Sequence, residues 1–293
     1  MSPHAALHHV THYRYDRPVH LGPQLVRLRP APHGRSRILS YALSVEPASA
    51  RVHWHQDPYA NYQARLLFPQ RTQELKLTVD LVVELAPFNP FEFFLEPGAA
   101  TFPFPYEPPL AQALAPYRAL APAGPRLQAY LDRIDRSPRP SVGFLVDLNR
   151  QLRADVQYLR RTEPGVQPPE ETLARGSGSC RDASWLLVQL MRHLGLAARF
   201  VSGYLVQFSP DTPALDTLLE DGDGATDLHA WCEVYLPGAG WLGLDPTSGL
   251  VASEGHIPLA CTPEPAGAAP VEGLIEQAHV KFDHQMRVTR LHG

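Results

Sequence analysis

The stretch Arg175-Gly-Ser-Gly-Ser-Cys180-Arg-Asp182 runs directly into Ala183-Ser-Trp-Leu-Leu-Val-Gln-Leu-Met-Arg-His-Leu194, and this junction decides how the chain is read. Ala183, Leu186, Leu187, Leu190, Met191 and Leu194 recur at three- and four-residue steps, which is one apolar face of a helix. Gly195 stands where a left-handed residue closes such a helix. The small, Gly/Ser-rich turn before it places Cys180 in the first helical turn. Backbone N–H groups without helical partners and the positive end of the helix dipole stabilise a thiolate there. The thiolate is the nucleophilic form of cysteine.

Downstream lie His229, in Asp227-Leu-His-Ala-Trp231, and Asp245, in Gly240-Trp-Leu-Gly-Leu-Asp-Pro-Thr-Ser248. Both stretches read as strands, joined at Pro237-Gly-Ala-Gly240 by a hairpin turn. Alternation puts His229, Trp231, Glu233 and Tyr235 on one face, with Trp241, Gly243 and Asp245 on one face of the second strand. In a hairpin, His229 and Asp245 then project from the same side. The Cys180 helix is expected to pack across that side, leaving Cys232 to point away as a buried thiol. Nucleophile, base and orienting carboxylate are all present, in the order Cys180, His229, Asp245. In this arrangement Cys180 attacks an amide carbonyl and His229 serves as base or imidazolium partner. Asp245 fixes the imidazole, and the Cys180 N–H helps hold the oxyanion.

Around this constellation the chain divides. From His8 to about Glu96, segments such as Val10–Tyr15, Ile38–Val45, Tyr62–Phe68 and Leu75–Leu85 alternate or carry β-branched and aromatic residues between Pro, Gly, Asn and Asp clusters. Residues 1–102 are therefore expected to form a β-rich, sandwich-like N-terminal domain. Residues 103–140 are rich in Pro and Ala and form a connection with short helices near 110–117 and 126–134. The α+β core spans 141–260 and opens on a helix for which Ser141 is the expected N-cap. Residues 261–293 form a tail whose Val280–Leu291 reads as a returning strand.

Composition narrows the function. At 293 residues, 44% apolar and 19% charged, the chain is globular. A net charge of -4 gives no reason to expect a polyanionic partner, so no nucleic acid is expected. Three widely spaced cysteines, Cys180, Cys232 and Cys261, make no disulfide framework and fit a reducing compartment. With neither a signal-like segment at the N-terminus nor a membrane-length apolar run, the expectation is a cytoplasmic protein. Lysine occurs only at Lys76 and Lys281, so the chain offers few amines of its own to an acyl-transfer reaction.

The segments Gly-Ser-Gly-Ser-Cys180-Arg-Asp182, Gly195-Leu-Ala-Ala-Arg-Phe-Val-Ser-Gly-Tyr204, Asp227-Leu-His229-Ala-Trp231 and Gly240-Trp-Leu-Gly-Leu-Asp245-Pro-Thr-Ser together resemble the bacterial transglutaminase-like superfamily, over roughly residues 141–260. Tyr13-Arg-Tyr-Asp-Arg-Pro-Val19 and Arg27-Leu-Arg-Pro30 carry a looser likeness to the β-rich N-terminal domain of bacterial members. The resemblance implies a papain-like core with Cys180, His229 and Asp245 as its triad. It leaves the reaction open among acyl transfer, amide hydrolysis, proteolysis and a lost activity. Animal transglutaminases use an upstream tryptophan as an oxyanion donor, whereas here no tryptophan lies between Trp54 and Trp185. Tyr158 and Gln157 are the candidates for that place, beside a purely structural role, and Trp231 joins them as a candidate for the oxyanion or substrate wall.

Other signals are weaker. His8, His9 and His12 sit on what reads as an edge strand, scattered over both faces, which is a poor metal site. Asp221-Gly-Asp-Gly-Ala-Thr-Asp227 lacks the glutamate a calcium loop needs at its twelfth position, which is Cys232. The wider acidic run, Asp211 to Asp227, reads as a solvated loop or as a field that steers cationic substrates. No metal and no organic cofactor is expected. The expected function is amide chemistry through an acyl-thioester at Cys180, on a peptide or protein substrate and with an amine as an alternative acceptor. The alternative is a non-enzymatic binding scaffold.

Overall fold

The structure, a computed structural model, describes residues 3–161, 163–208 and 224–291. Six strands come first: β1 (His4–Val19), β2 (Leu21–Val26), β3 (Arg37–Glu46), β4 (Arg51–Gln56), β5 (Tyr62–Leu67) and β6 (Thr72–Glu84). Five helices follow: α1 (Pro108–Ala113), α2 (Pro125–Asp132), α3 (Ser141–Asp155), α4 (Pro169–Arg175) and α5 (Cys180–His193). After α5 come β7 (Ala198–Gln207), β8 (Ala225–Leu236), β9 (Gly240–Asp245), β10 (Leu250–Val251), β11 (His256–Thr262), β12 (Val271–Ile275) and β13 (Val280–Leu291).

Two four-stranded antiparallel sheets, ordered β13-β1-β6-β3 and β12-β2-β5-β4, face one another. Alternation drives their packing. Along β6, Leu75, Leu77, Val79, Leu81 and Val83 are at most 1% exposed, and Ala64, Leu66 and Val26 meet them from the other sheet. The last strands of the chain thus complete sheets begun by the first ones: β13 runs beside β1 from His4↔Leu291 to Tyr15↔Val280. The β12 segment has no strand-like alternation strong enough to mark it in the sequence. β1 is not an edge strand, because β13 covers one side and β6 the other. The three N-terminal histidines part accordingly: His9 is buried against Tyr204, at 2.9 Å, while His8 pairs with Asp80 and His12 with Glu74.

The core is a five-stranded antiparallel sheet, β10-β9-β8-β7-β11. Helix α5 lies on it, and Leu186, Leu187, Leu190 and Met191 are fully buried against Ala230, Cys232, Val234, Phe200, Leu242 and Leu244. Gly195, at φ +88°, ends the helix in the left-handed region, with the Leu196 N–H returning to the Met191 carbonyl at 2.9 Å. Helix α3 packs at the far edge. Its N-cap is Pro140 rather than Ser141, whose hydroxyl instead donates to the Ala99 carbonyl at 2.6 Å. That bond ties the helix to the connecting segment, and proline at the boundary supplies the extended entry. Tyr204, Val206, Ile257 and Leu259 carry the core sheet into the sandwich interior, so the two halves share one apolar seam. Among the described residues no helix is long and apolar enough to cross a membrane.

Candidate active site

The turn before α5 is built by one carboxylate. Asp182 is completely buried, and its Oδ2 accepts the Ser179 N–H at 2.9 Å and the Ser179 hydroxyl at 2.8 Å. Its Oδ1 accepts the Gln167 N–H at 2.8 Å, and Arg161 binds both oxygens at 3.0 and 3.1 Å. Burial pushes the Asp182 pKa up, but Arg161 and the backbone donors overcome it and leave the group below the usual carboxylate range. Ser179 is the N-cap, and the reciprocal Ser179–Asp182 bonds form a capping box. Gly178 permits the close fit, since a Cβ there would come within 2.8 Å of the Asp182 Cβ. Cys180 is thus held at the first position of α5, half-exposed, while Cys232 and Cys261 are fully buried and their thiols are pushed up by burial.

Gln157 and Tyr158 reach the same turn. Gln157 pairs with Ser177 and Tyr158 with Gly178 in a short parallel ladder, and the Leu159 N–H donates to the Gly178 carbonyl at 2.8 Å. Alternation turns the two side chains to opposite faces; Tyr158 is half-buried and Gln157 exposed.

His229 and Asp245 meet where β8 and β9 part. The ladder between those strands ends at Cys232↔Leu244, and Asp245 pairs instead with Leu250 of β10. His229 Nε2 lies 3.2 Å from Asp245 Oδ2, with the two side chains 2% and 0% exposed. The Cys180 thiol is the other hydrogen-bonding neighbour of the imidazole. With Nε2 facing the carboxylate, Nδ1 is the nitrogen left for the thiol. Burial opposes charge on His229, but Asp245 and then Cys180 outweigh it and hold the imidazole pKa well above its ordinary value. Burial likewise opposes the Asp245 charge, and His229 and His256 overcome it, so the carboxyl stays well below its usual range.

Asp245 is itself anchored. Its Oδ1 accepts the Thr247 N–H at 2.8 Å in an Asx turn, and its Oδ2 accepts the Ser248 hydroxyl at 3.0 Å. Asn149 of α3 donates to the Asp245 and Leu250 carbonyls at 3.2 and 3.0 Å. His256 Nε2 stands 3.5 Å from the same Oδ2. His229, Asp245 and His256 offer ligand-type atoms within 4.8 Å of one another. The Ser-x-x-Asp spacing of 179–182 and the Asp-Pro-Thr-Ser run were readable signals for Asp182 and for the Asx turn. Nothing local marks His256, which arrives from another strand.

Two expectations about placement are corrected. Helix α5 packs on the face of β8 that carries Ala230, Cys232 and Val234, opposite the Trp231 face, so Cys232 points toward the helix. The apolar stripe of α5 demands an apolar partner, and the alternate β8 positions supply it. His229, past the end of the β8–β9 ladder, nevertheless has the Cys180 thiol as a neighbour. Trp231 is 1% exposed, packed with Val201 and Cys261, and its indole N–H points to Glu233 Oε1 at 3.3 Å. Its donor is thereby committed within the opposite-face cluster and is not offered at the thiol. The calcium-like run and the acidic run lie outside the described residues up to Asp223; Asp227 is described, and its carboxylate accepts the Leu228 N–H at 2.8 Å.

Known proteins bear on this geometry. The model of the bacterial transglutaminase-like N-terminal region matches residues 5–84, and that of the transglutaminase-like superfamily matches residues 128–246. An uncharacterized protein of Mycobacterium tuberculosis is 28% identical over 290 residues, covering 91% of this chain and 86% of the relative. One from Mycobacterium leprae is 24% identical over 290 residues, covering 97% of each. The crystal structure of a proposed cysteine protease from Cytophaga hutchinsonii shares the fold, with a TM-score of 0.72 at 17% identity, across 100% of this chain and 92% of the other. Matched in both its sandwich and its core, the chain belongs to the transglutaminase-like superfamily, with the bacterial N-terminal region ahead of that core.

Proposed function

We propose that the protein is a cysteine-dependent enzyme acting on amide bonds of peptides or proteins, with Cys180 as nucleophile, His229 as its proton partner and Asp245 as the orienting anion. One observation carries the reading: a single buried imidazole stands between a half-exposed thiol at a helix start and a buried carboxylate. Superfamily membership supports cysteine chemistry in general.

The steps follow from the positions. Cys180 attacks the carbonyl carbon as a thiolate, and the C=O electron pair moves to oxygen. The Cys180 N–H, in a first turn without an intrahelical acceptor, faces the developing oxyanion. Tyr158, bridged to Gly178, is assigned to the wall beside it. Collapse of the tetrahedral species breaks the C–N bond, and the departing amine takes its proton from imidazolium His229. Neutral His229 then removes a proton from water, or from an acceptor amine, as that group attacks the thioester. The acid or the new amide leaves, and the thiolate–imidazolium pair is restored. Asp245 keeps the ring aligned throughout and stays ionised.

The test is turnover of a library of amide-linked fluorogenic peptides, with and without an added primary amine, by the wild-type chain and by Cys180→Ala. The expected result is amine release by the wild type alone, with an amide product when the added amine is accepted. Release that persists in folded Cys180→Ala, or none from the wild type across the library, contradicts the reading.

A further inference from the structure

We propose that His256 is a fourth, positioning member of the site: its Nε2–H donates to Asp245 Oδ2 and holds that oxygen in line with His229. The proposal rests on the thiol–imidazole–carboxylate reading above and extends it by one residue.

The geometry begins in a small turn. The Ser253 N–H donates to His256 Nδ1 at 3.1 Å, and the His256 N–H returns to the Ser253 carbonyl at 3.0 Å. An imidazole that accepts through Nδ1 carries its proton on Nε2 when neutral. Nε2 is therefore a donor, and its position decides what it can serve. The side chain is 9% exposed, and the buried Nε2 stands 3.5 Å from Asp245 Oδ2. The contact is long and imperfectly aligned, as is that of His229 at 3.2 Å. Such bonds are often loose in a free enzyme and tighten when substrate binds. Trp231 braces the ring edge-on, with centroids 5.2 Å apart and planes at 85°.

The same cluster invites a metal-site reading, since two imidazoles and a carboxylate converge within 4.8 Å. The turn argues otherwise. With Nδ1 occupied as an acceptor, a neutral His256 has no lone pair on Nε2 to give a cation. Metal binding there would require the Ser253 bond to break and the proton to move to Nδ1. As a donor, His256 instead adds to the shell of Oδ2, which already accepts the Ser248 hydroxyl and faces His229 at 3.2 Å. With Oδ2 held by this second imidazole as well as by the Ser248 hydroxyl, the carboxylate is less free to swing off the imidazole axis. Trp231 thereby acquires a role away from substrate, as the wall that fixes the ring of His256.

The experiment uses the full chain labelled with 15N-histidine, with His256→Phe and His256→Gln beside the wild type. In the wild type, the His256 ring must show the proton on Nε2; a proton on Nδ1 overturns the proposal without any variant being needed. The His229 Nε2 proton is expected at low field, and in His256→Phe it should broaden or vanish as the hydrogen bond to Asp245 loosens. Alkylation of Cys180 by iodoacetamide should then slow by about ten-fold, the usual scale for one lost hydrogen bond in such a network. His256→Gln, which keeps an N–H donor near the Nε2 position, should remain within about two-fold of the wild type. An unchanged His229 signal and unchanged alkylation in folded His256→Phe overturn the proposal. Equal losses in both variants overturn it too, because they assign His256 to packing alone. None of these readouts needs a substrate, so they stand or fall apart from the peptide-turnover test of the function itself.

Discussion

His229 Nε2 lies 3.2 Å from Asp245 Oδ2 although the ladder between their strands stops at Cys232↔Leu244. The fold thus gives up backbone pairing where it brings the two side chains together. Asp245 compensates with the Thr247 N–H and with Asn149, which supports its carbonyl. If the carboxylate serves to orient the imidazole, Asp245→Asn should lower kcat by up to about 10⁴-fold at nearly constant KM, as the wrong tautomer does in a serine triad. Steady-state kinetics together with a melting curve checks this; an unchanged kcat in a variant of unchanged Tm removes Asp245 from the chemistry.

Thiol reactivity should separate the three cysteines. Cys232 and Cys261 are fully buried, and burial pushes their thiols up, whereas Cys180 is half-exposed beside an imidazole whose pKa is raised. Iodoacetamide at pH 6 should modify Cys180 first, at least ten-fold faster than the others on the scale of thiolate availability. Peptide mapping of the native protein reads the order, and equal labelling of all three contradicts an activated thiol.

Asp182 makes a stability prediction. It is buried, holds Arg161 through both oxygens and closes the turn onto Ser179. Asp182→Asn leaves Arg161 without its anion and weakens the capping box, at a cost of about 2–4 kcal/mol. Urea unfolding measures the cost, and Cys180 alkylation should slow as the turn loosens. A change below about 0.5 kcal/mol, the range of ordinary surface substitutions, shows that the turn does not depend on this carboxylate.

Acid should find Asp245. Its folded-state pKa lies below the ordinary value of 3.8, so its charge contributes stability that is complete above that pH and is lost as pH falls through the folded value. Below pH 4 the wild type should therefore lose stability more steeply than Asp245→Asn, which has no proton to take up there. Chemical denaturation at a series of pH values gives both slopes, and parallel slopes contradict the ionised, buried carboxylate.

The fold and the three central residues were legible because their signals are local. An amphipathic stripe, a glycine at its end and a small-residue turn define α5, and alternation defines β8 and β9. Pairing across the chain was less legible. Alternation told which residues of β8 share a face but not which face the helix takes, and α5 chose the one carrying Cys232. Ser141 looked like a cap from its position, but the Ala99 carbonyl, forty-two residues earlier, claims its hydroxyl. β12 is short and largely exposed, so its sequence carries little pattern; its partner β2 defines it. His256 illustrates the same limit, since its neighbours in the sequence say nothing of Asp245, and only the meeting of β9, β10 and β11 brings it there.

The most direct test of the central claim is intact-mass spectrometry of the chain quenched in acid during turnover of a peptide amide. The account predicts an acyl adduct that maps to Cys180, is removed by hydroxylamine as a thioester is, accumulates when deacylation is slowed, and is absent from Cys180→Ala. Turnover with no adduct on Cys180 under any quench condition, or an adduct on another residue, would contradict it.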